Sequence, residues 1–263
     1  MKKFSALKRE LKKDALYRFV PFTQNSLKSL INSTLYFSDP HYQNDPIDSN
    51  YILDISTVPD DYLGYDFRKY HKEEFVKFRI KFKIDYELEK NYGICCFSRN
   101  YNGILLWSHY TDGAKGFCFI FDQNELFNDL NKQNESMVIK DVTYNVIPKI
   151  QPEFVDKDFT IDYKQIVFNK NRQWKYESEI RIMCKLIDDY KIKDKRVYNY
   201  SPNCLKGIIV GERMAKDEID TIKKILGIPQ LSHISLFQKK RKEKRIILTV
   251  IYSIYLINKL LKI

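Results

Sequence analysis

The sequence predicts a single α+β domain in which a mixed or antiparallel sheet forms the core and helices flank it. Short apolar or alternating segments, typical of strands, are interspersed with segments of helical periodicity. Of the 263 residues, 44% are hydrophobic, which is enough for a sizeable core. We find no internal repeat and no low-complexity linker, so we assign one domain to residues 1–251 and an apolar tail to residues 252–263.

Several segments have the pattern of helices. Ser5 can cap a short amphipathic helix, and apolar residues recur at roughly helical intervals between residues 65 and 90, at Phe67, Tyr70, Phe75 and Phe78. The predicted helices cover residues 5–14, 27–31, 65–90, a short stretch within 103–116, 124–130, 163–169 and 214–227.

The predicted strands are short and rich in β-branched and aromatic residues. They cover residues 15–21, 34–38, 93–98, 117–122, 137–144, 174–183 and 205–212. The chain then closes with a hairpin in which "HISLFQ" pairs with "RIILTVI" across a basic turn. The apolar run at residues 246–257 is shorter than the roughly 20 residues of a membrane-spanning helix, so a membrane anchor is the weaker alternative.

The stretch "WKYESEIRIM" at residues 174–183 carries Glu177, Glu179 and Arg181 at alternate positions. As a strand it would present these three side chains on one face. That face could be a solvent-exposed ladder of ion pairs. It could also be a carboxylate pair that stabilises positive charge on a sugar carbon.

Other familiar chemistry has little support. The four histidines fall in no zinc spacing, and the glycine motifs of Rossmann, P-loop and α/β-hydrolase proteins are absent. We therefore expect no metal site. Asp39, Asp45 and Asp48 could gather around Mg²⁺, but aspartates are also favoured in turns for their local hydrogen bonds. His109 is either a general base or a packed, hydrogen-bonded histidine.

The net charge of +11 and the basic run at residues 239–245 are compatible with a nucleic-acid partner. An AT-rich genome would also enrich lysine, and a basic hairpin turn is solvated whatever it binds. The five cysteines show no paired spacing, and the N-terminus has no secretory pattern. We therefore expect reduced thiols and a cytoplasmic protein.

Seven pieces of sequence resemble a bacterial family catalogued as domain of unknown function 2971. They are "LYRF", "LYFSDPHYQNDPID", "CFS", "LWSHYTDGAKGFCFIFD", "VTY", "WKYESEIRI" and "LKGIIVGE", in an order that extends from Leu16 to about Phe237. The family typically has a phenylalanine where this chain has Tyr42-Gln43, and a histidine near Ala114. The resemblance implies relatives of abortive-infection proteins that act against phage. Its motifs supply Asn44, Asp45, Trp107, His109, Tyr110 and Arg181 as further candidate site residues.

A second resemblance is to ADP-ribosyltransferases. In these enzymes an Arg or His on a first strand, a Ser or Tyr on a second and a Glu or Glu-x-Glu on a later strand surround NAD. This chain offers Arg18, then Tyr36 and Ser38, then Glu177 and Glu179 in that order. The resemblance implies a split sheet, with Arg18 on the NAD diphosphate and Tyr36 or Ser38 near the nicotinamide ribose. It implies that Glu179 acts on the reacting ribose with help from Glu177.

Three hypotheses follow. The leading one is an ADP-ribosyltransferase-like toxin or phage-defence enzyme that uses NAD to modify nucleic acid or protein. The second is a basic module without catalytic activity that binds nucleic acid or a partner such as an antitoxin. The third is a metal-dependent nuclease that uses the aspartate loop, Asp39, Asp45 and Asp48, with Glu177 and Glu179.

Overall fold

The computed structural model describes residues 4–11, 14–45, 47–59, 62, 73–155, 158–187, 194–242 and 245–252, with backbone alone from residue 240 onwards. Eight strands form the main sheet: β1 Ala15–Val20, β4 Tyr92–Ser98, β5 Phe117–Asp122, β6 Val138–Asp141, β12 Glu179–Lys185, β14 Leu205–Val210, β15 Ser235–Lys242 and β16 Arg245–Tyr252. Their order across the sheet is β16-β15-β14-β5-β1-β4-β12-β6. β14 and β15 are parallel and the other neighbours are antiparallel, so the predicted α+β class with a mixed sheet is confirmed.

Eight shorter strands pair in twos beside this sheet. They are β2 Thr34–Tyr36 with β13 Val197–Asn199, β3 Ile52–Leu53 with β8 Lys149–Ile150, β7 Thr143–Asn145 with β11 Asn169–Asn171, and β9 Glu153–Val155 with β10 Asp158–Thr160. The α-helices are α1 Phe4–Leu11, α2 Gln24–Asn32, α3 Glu73–Asn91, α4 Ile104–Tyr110, α5 Gln123–Asn131, α6 Lys164–Val167 and α7 Lys216–Leu226. No helix among the described residues is long and apolar enough to cross a bilayer.

Both faces of the main sheet are covered, which explains the nearly continuous apolar runs in β5 and β14. On one face Leu16 and Phe97 pack in a large cluster with α2, α5 and α7. The other face carries two separate clusters. One contains Tyr17 and packs against α1 and α4, and the other contains Ile94 and packs against α3. The boundary between these two clusters lies at β1 and β4.

β1 and β4 are joined through a single residue pair, Tyr17 with Ser98. Beyond that pair the two strands part, although each stays paired with its outer neighbour along its length. Ser38 forms an isolated antiparallel bridge with Ile94 where β4 lacks β1 as a partner. The sheet is therefore split near its middle, and the split opens a cavity between two well-paired halves.

Some element boundaries differ from the prediction. The strand predicted at residues 174–183 is wrong in its first half, because residues Arg172–Glu177 form a 3₁₀ helix and the strand begins at Glu179. The strand predicted at residues 137–144 is interrupted at Val142, where β6 ends and β7 leaves to pair with β11.

The closing hairpin is confirmed, since β15 and β16 pair antiparallel. Its basic residues, however, lie partly within β15 rather than in the turn. α3 is confirmed from Glu73 onwards. The predicted helical residues 65–72 and the tail from residue 253 lie outside the described residues, and the domain boundary at residue 251 stays a prediction.

We predict that Ile80→Ala lowers the free energy of unfolding by about 2–5 kcal/mol, because Ile80 is fully buried on the inner face of α3. Phe82→Ala is the matched control on the same helix, since this ring is 63% exposed and its loss leaves no cavity. Urea unfolding followed by circular dichroism measures both. Equal losses for the two variants would contradict the orientation of α3.

Candidate functional site

Five ionisable side chains form a buried cluster beside the split in the sheet. They are Asp48, Lys170, Glu177, Glu179 and Arg181, all at most 6% exposed. The Lys170 ammonium lies 2.7 Å from a Glu177 oxygen and 3.1 Å from a Glu179 oxygen. Three carboxylates face two cations, so the cluster carries a formal charge of −1. Glu177, Glu179 and Arg181 therefore do not form a solvent-exposed face, and that alternative is wrong.

The break between the 3₁₀ helix and β12 brings the two glutamates together. Ser178 separates them in the left-handed conformation, with φ of 45°. Glu177 therefore leaves the strand direction, which corrects the prediction that it shares a strand face with Glu179. Both carboxylates nevertheless reach Lys170, which enters from β11. The two carboxylates are close because both contact this ammonium, and not because they alternate along a strand as predicted.

Arg181 fixes the orientation of Glu179. Its Nε donates to one Glu179 oxygen at 2.7 Å and its Nη2 donates to the other at 3.1 Å. The same guanidinium donates twice to Asp48, at 3.0 and 2.6 Å, and once to the Val167 carbonyl at 2.6 Å. A planar guanidinium with five donors suits two bidentate contacts of this kind. Glu179 is therefore held as an ionised carboxylate of fixed position.

Glu177 has a different set of partners. The Tyr110 hydroxyl at the end of α4 donates to one carboxylate oxygen, and Lys170 donates to the other. Asn44 in turn donates to the Tyr110 oxygen at 2.9 Å. The candidates Asn44 and Tyr110 are thus linked to Glu177 by hydrogen bonds, and they connect the loop after β2 to the cluster.

The two glutamates are shifted in opposite directions. Burial raises the pKa of Glu177, and the nearby Lys170 opposes this shift only in part. Burial would also raise the pKa of Glu179, but the charges of Arg181 and Lys170 and the bonds from Arg181 outweigh it and lower that pKa to about 2. Neighbouring carboxylates with separated pKa values are typical of acid and base roles in enzymes. Glu179 suits a permanent negative charge, and Glu177 suits a proton acceptor.

A cavity of about 190 Å³ occupies the split between β1 and β4. Its walls bring together Arg18, Ser38, Glu177 and Glu179, and also include Asn44, Tyr110, Lys170 and Cys96. By strand alternation Arg18 belongs to the face opposite Glu179. Both reach the cavity because the two strands separate there.

Arg18 is half-buried and forms no ion pair with any described residue. Its guanidinium contacts the Cys95 sulfur and lies 5.8 Å from the centre of the Phe97 ring. Ser38 donates to the Ile94 carbonyl at 3.2 Å and accepts a bond from Gln43 at 3.0 Å. The cavity thus has a cation on one wall and a net negative cluster on another.

Other predicted candidates lie elsewhere. Tyr36 is 50% exposed on β2 and does not line the cavity. Trp107 is buried, donates to the Tyr101 carbonyl and packs against Phe19. His109 is exposed at 6.4 Å from the rings of Trp174 and Tyr176.

The aspartate loop serves local structure in the described residues. Asp39 accepts a bond from the His41 amide, and Asp45 accepts one from the Ile47 amide. Asp48 pairs with Arg181 instead. Within the described ranges no group of three His, Cys, Asp or Glu side chains could hold a metal ion.

Lys170 is the central residue that the sequence did not predict. It lies in the polar segment "NKNRQW", where neither periodicity nor a motif distinguishes a buried lysine from a solvated one. The contact between Asp48 and Arg181 joins residues 133 positions apart, and no local pattern could have paired them.

We predict that Arg181→Met lowers the free energy of unfolding by about 3–5 kcal/mol, because Glu179 and Asp48 would lose one of the two buried cations that they share and every bidentate contact. Lys206→Met removes a partly exposed pair with Glu125 and should cost less than about 1 kcal/mol. Urea unfolding at neutral pH tests both variants. A small loss for Arg181→Met would show that the cluster does not depend on this cation.

We also predict a pH dependence from Glu179. Its pKa in the folded chain is about 2, below its usual 4.5, so its contribution to stability is present above about pH 4.5 and is lost as the pH falls towards 2. Glu179→Gln lacks this contribution. The difference in unfolding free energy between wild type and Glu179→Gln should therefore narrow from pH 5 downwards, as measured by urea unfolding at stepped pH. Parallel curves would contradict the assigned shift.

Comparison with known proteins gives one family match, to part of the chain. No curated protein and no solved structure matches the chain. Residues 106–182 match the family described as "Protein of unknown function (DUF2971)". The matched region begins in α4 and ends in β12, so it includes Tyr110, Lys170 and both glutamates of the buried cluster.

Proposed function

We propose that this chain transfers ADP-ribose from NAD to an acceptor in nucleic acid or protein. The observation that carries the proposal is that Arg18, Ser38, Glu177 and Glu179 line one cavity at the split between β1 and β4. This is the set, apart from Tyr36, that the resemblance to ADP-ribosyltransferases implies.

The charges of the cavity suit the two ends of the donor. Arg18 offers a guanidinium that has no carboxylate partner among the described residues, and a guanidinium binds phosphate oxygens well. The cluster of formal charge −1 suits the positively charged nicotinamide riboside. Because about 190 Å³ is less than the roughly 300 Å³ of the smallest usual ligand pockets, the cavity would enclose the reacting end, and the rest of the dinucleotide would lie outside it.

The separated pKa values of the glutamates give each a role. Glu179 stays ionised at neutral pH and would stabilise the positive charge that develops on the ribose carbon. Glu177, with its raised pKa, is the better proton acceptor. Tyr110 and Lys170 position its carboxylate through the hydrogen bonds described above.

The proposed step balances without another reactant. The bond from the ribose carbon to the nicotinamide nitrogen breaks, and its electron pair leaves with neutral nicotinamide. The acceptor oxygen or nitrogen forms the new bond to the same carbon, and Glu177 takes the acceptor proton. Ser38 lies in the cavity wall and can hydrogen-bond a ribose hydroxyl.

An enzyme of this kind would act as a toxin or in phage defence, as the resemblance to abortive-infection proteins implies. The acceptor could be nucleic acid or protein, and the net charge of +11 favours the nucleic acid. A partner protein would then restrain the activity. The five free cysteines support a reducing, cytoplasmic site of action.

We predict that the purified chain releases nicotinamide from NAD in the presence of an acceptor, and that Glu179→Gln lowers the rate at least about 10²-fold, because the charge that stabilises the reacting carbon is lost. Release is measured by chromatography. Labelled NAD with RNA, single-stranded DNA and protein in separate reactions identifies the acceptor. Arg18→Gln should mainly raise KM, since it would remove a binding contact to the donor.

Glu125→Gln is the matched control, because Glu125 lies on the exposed side of α5 and pairs only with Lys206 among the described residues. Circular dichroism must show that each variant is folded, since Glu179 also supports the buried cluster. Equal release by wild type and Glu179→Gln, or no release with any acceptor, would refute the proposal. Mg²⁺-dependent cleavage of the nucleic acid would instead support the nuclease alternative.

A further inference from the structure

The helix α3 is apolar on two opposite sides. Its inner side, Val76, Ile80, Ile84 and Leu88, is fully buried. At 3.6 residues per turn, Phe78, Phe82 and Tyr86 lie on the opposite side, and they are 66%, 63% and 51% exposed. We call these three residues the aromatic crest. Nothing in the site described above uses the crest.

The crest rings follow one another along the helix. Neighbouring ring centres are 6.3 and 6.5 Å apart, and the planes differ by only 28° and 21°. The rings therefore form a continuous apolar ridge of about two turns. An exposed apolar ridge on a charged surface is typical of an interaction site.

Cations flank the crest on both sides. Helical spacing places Lys77 and Lys81 on one shoulder and Arg79 and Lys83 on the other. Three of them have carboxylate partners, of which Glu73 and Asp158 are exposed and Asp85 is partly buried. Such surface pairs are weak and exchange readily. Arg79 forms no ion pair with a described residue. The remaining acidic residues of the outer side lie towards the helix ends.

We propose that the crest docks α3 onto an anionic lipid surface. The crest is the outermost line of the helix, with the cations set lower on both shoulders. A flat interface accepts this shape, because the rings enter the apolar layer while lysine and arginine stems extend their charges to the head groups. Proteins that stack bases of single-stranded nucleic acid use a basic groove that tracks the strand. The crest is instead a ridge, and the depression beside Phe78 is lined by the apolar Ile52 and Leu53 and by Glu74 as well as by two lysines. The net charge of +11 adds a general attraction to the anionic leaflet.

The test is cosedimentation of the full chain with vesicles of phosphatidylcholine containing about 30 mol% phosphatidylserine. We expect binding that weakens with salt and is much lower on phosphatidylcholine alone. Phe78→Ser/Phe82→Ser should lower the partition coefficient by about tenfold or more. The matched control Val146→Ser/Val155→Ser removes two apolar residues that are 87% and 65% exposed elsewhere, and it should bind as wild type.

A second pair of variants separates the effect of charge beside the crest from the effect of the net charge of the chain. Arg79→Glu/Lys81→Glu changes the shoulders, and Lys216→Glu/Lys224→Glu makes the same change in net charge on the exposed side of α7. The first should weaken vesicle binding more than the second. Phe82→Trp places a tryptophan in the crest. When this variant binds vesicles, its extra fluorescence relative to the wild type should shift to shorter wavelength, and brominated lipid should quench it.

Three results would overturn the proposal. They are no cosedimentation of the wild type, unchanged binding of Phe78→Ser/Phe82→Ser, or equal effects of the two charge variants. Binding of single-stranded DNA that depends on the same rings, without vesicle binding, would assign the crest to nucleic acid. The crest residues lie outside the cavity, so each of these results is independent of the outcome with NAD.

Discussion

The buried guanidinium of Arg181 is the interaction on which the rest of the site depends. It contacts both oxygens of Glu179 and both oxygens of Asp48, and it is completely excluded from solvent. Without it, Asp48 and Glu179 would share only the Lys170 ammonium, at 3.5 and 3.1 Å, in a region of low dielectric where an uncompensated charge costs several kcal/mol. Arg181 therefore allows acidic side chains to gather beneath the sheet. It also joins β12 to the loop after β2, so the same contacts hold the site together and stabilise the fold.

The split sheet and the charged cluster depend on each other. β1 leaves β4 after a single residue pair, and the resulting gap would expose unpaired backbone groups. The Ser38 bridge satisfies part of β4, and polar side chains line the remainder. A continuous sheet would be more stable at this point, but it would have no concave surface. The middle of the sheet therefore lacks hydrogen bonds between β1 and β4, and the cavity lies in that gap.

Sequence patterns predicted most of the main sheet because its strands are apolar runs bounded by turns, as in "GICCFS" and "FCFIFD". They also predicted that Glu177 and Glu179 belong to one site, although for an incorrect reason. Strand alternation assigns them to one face, whereas the chain uses a 3₁₀ helix and a left-handed Ser178. Lys170 and the partner of Arg181 could not be predicted, since tertiary contacts alone distinguish a buried charge from a solvated one.

The two apolar sides of α3 also bear on how the chain folds. Half a rotation about its axis would present Phe78, Phe82 and Tyr86 to the core instead of Val76, Ile80 and Ile84, so hydrophobicity alone leaves two competing packings. The two packings differ in volume, because three aromatic rings are larger than the aliphatic side chains that they would replace, and an overpacked core is destabilised. Half a rotation would also turn Glu89, which helical spacing places on the side of the rings, towards the core. Side-chain volume and the cost of burying a charge therefore both favour the observed orientation of this helix.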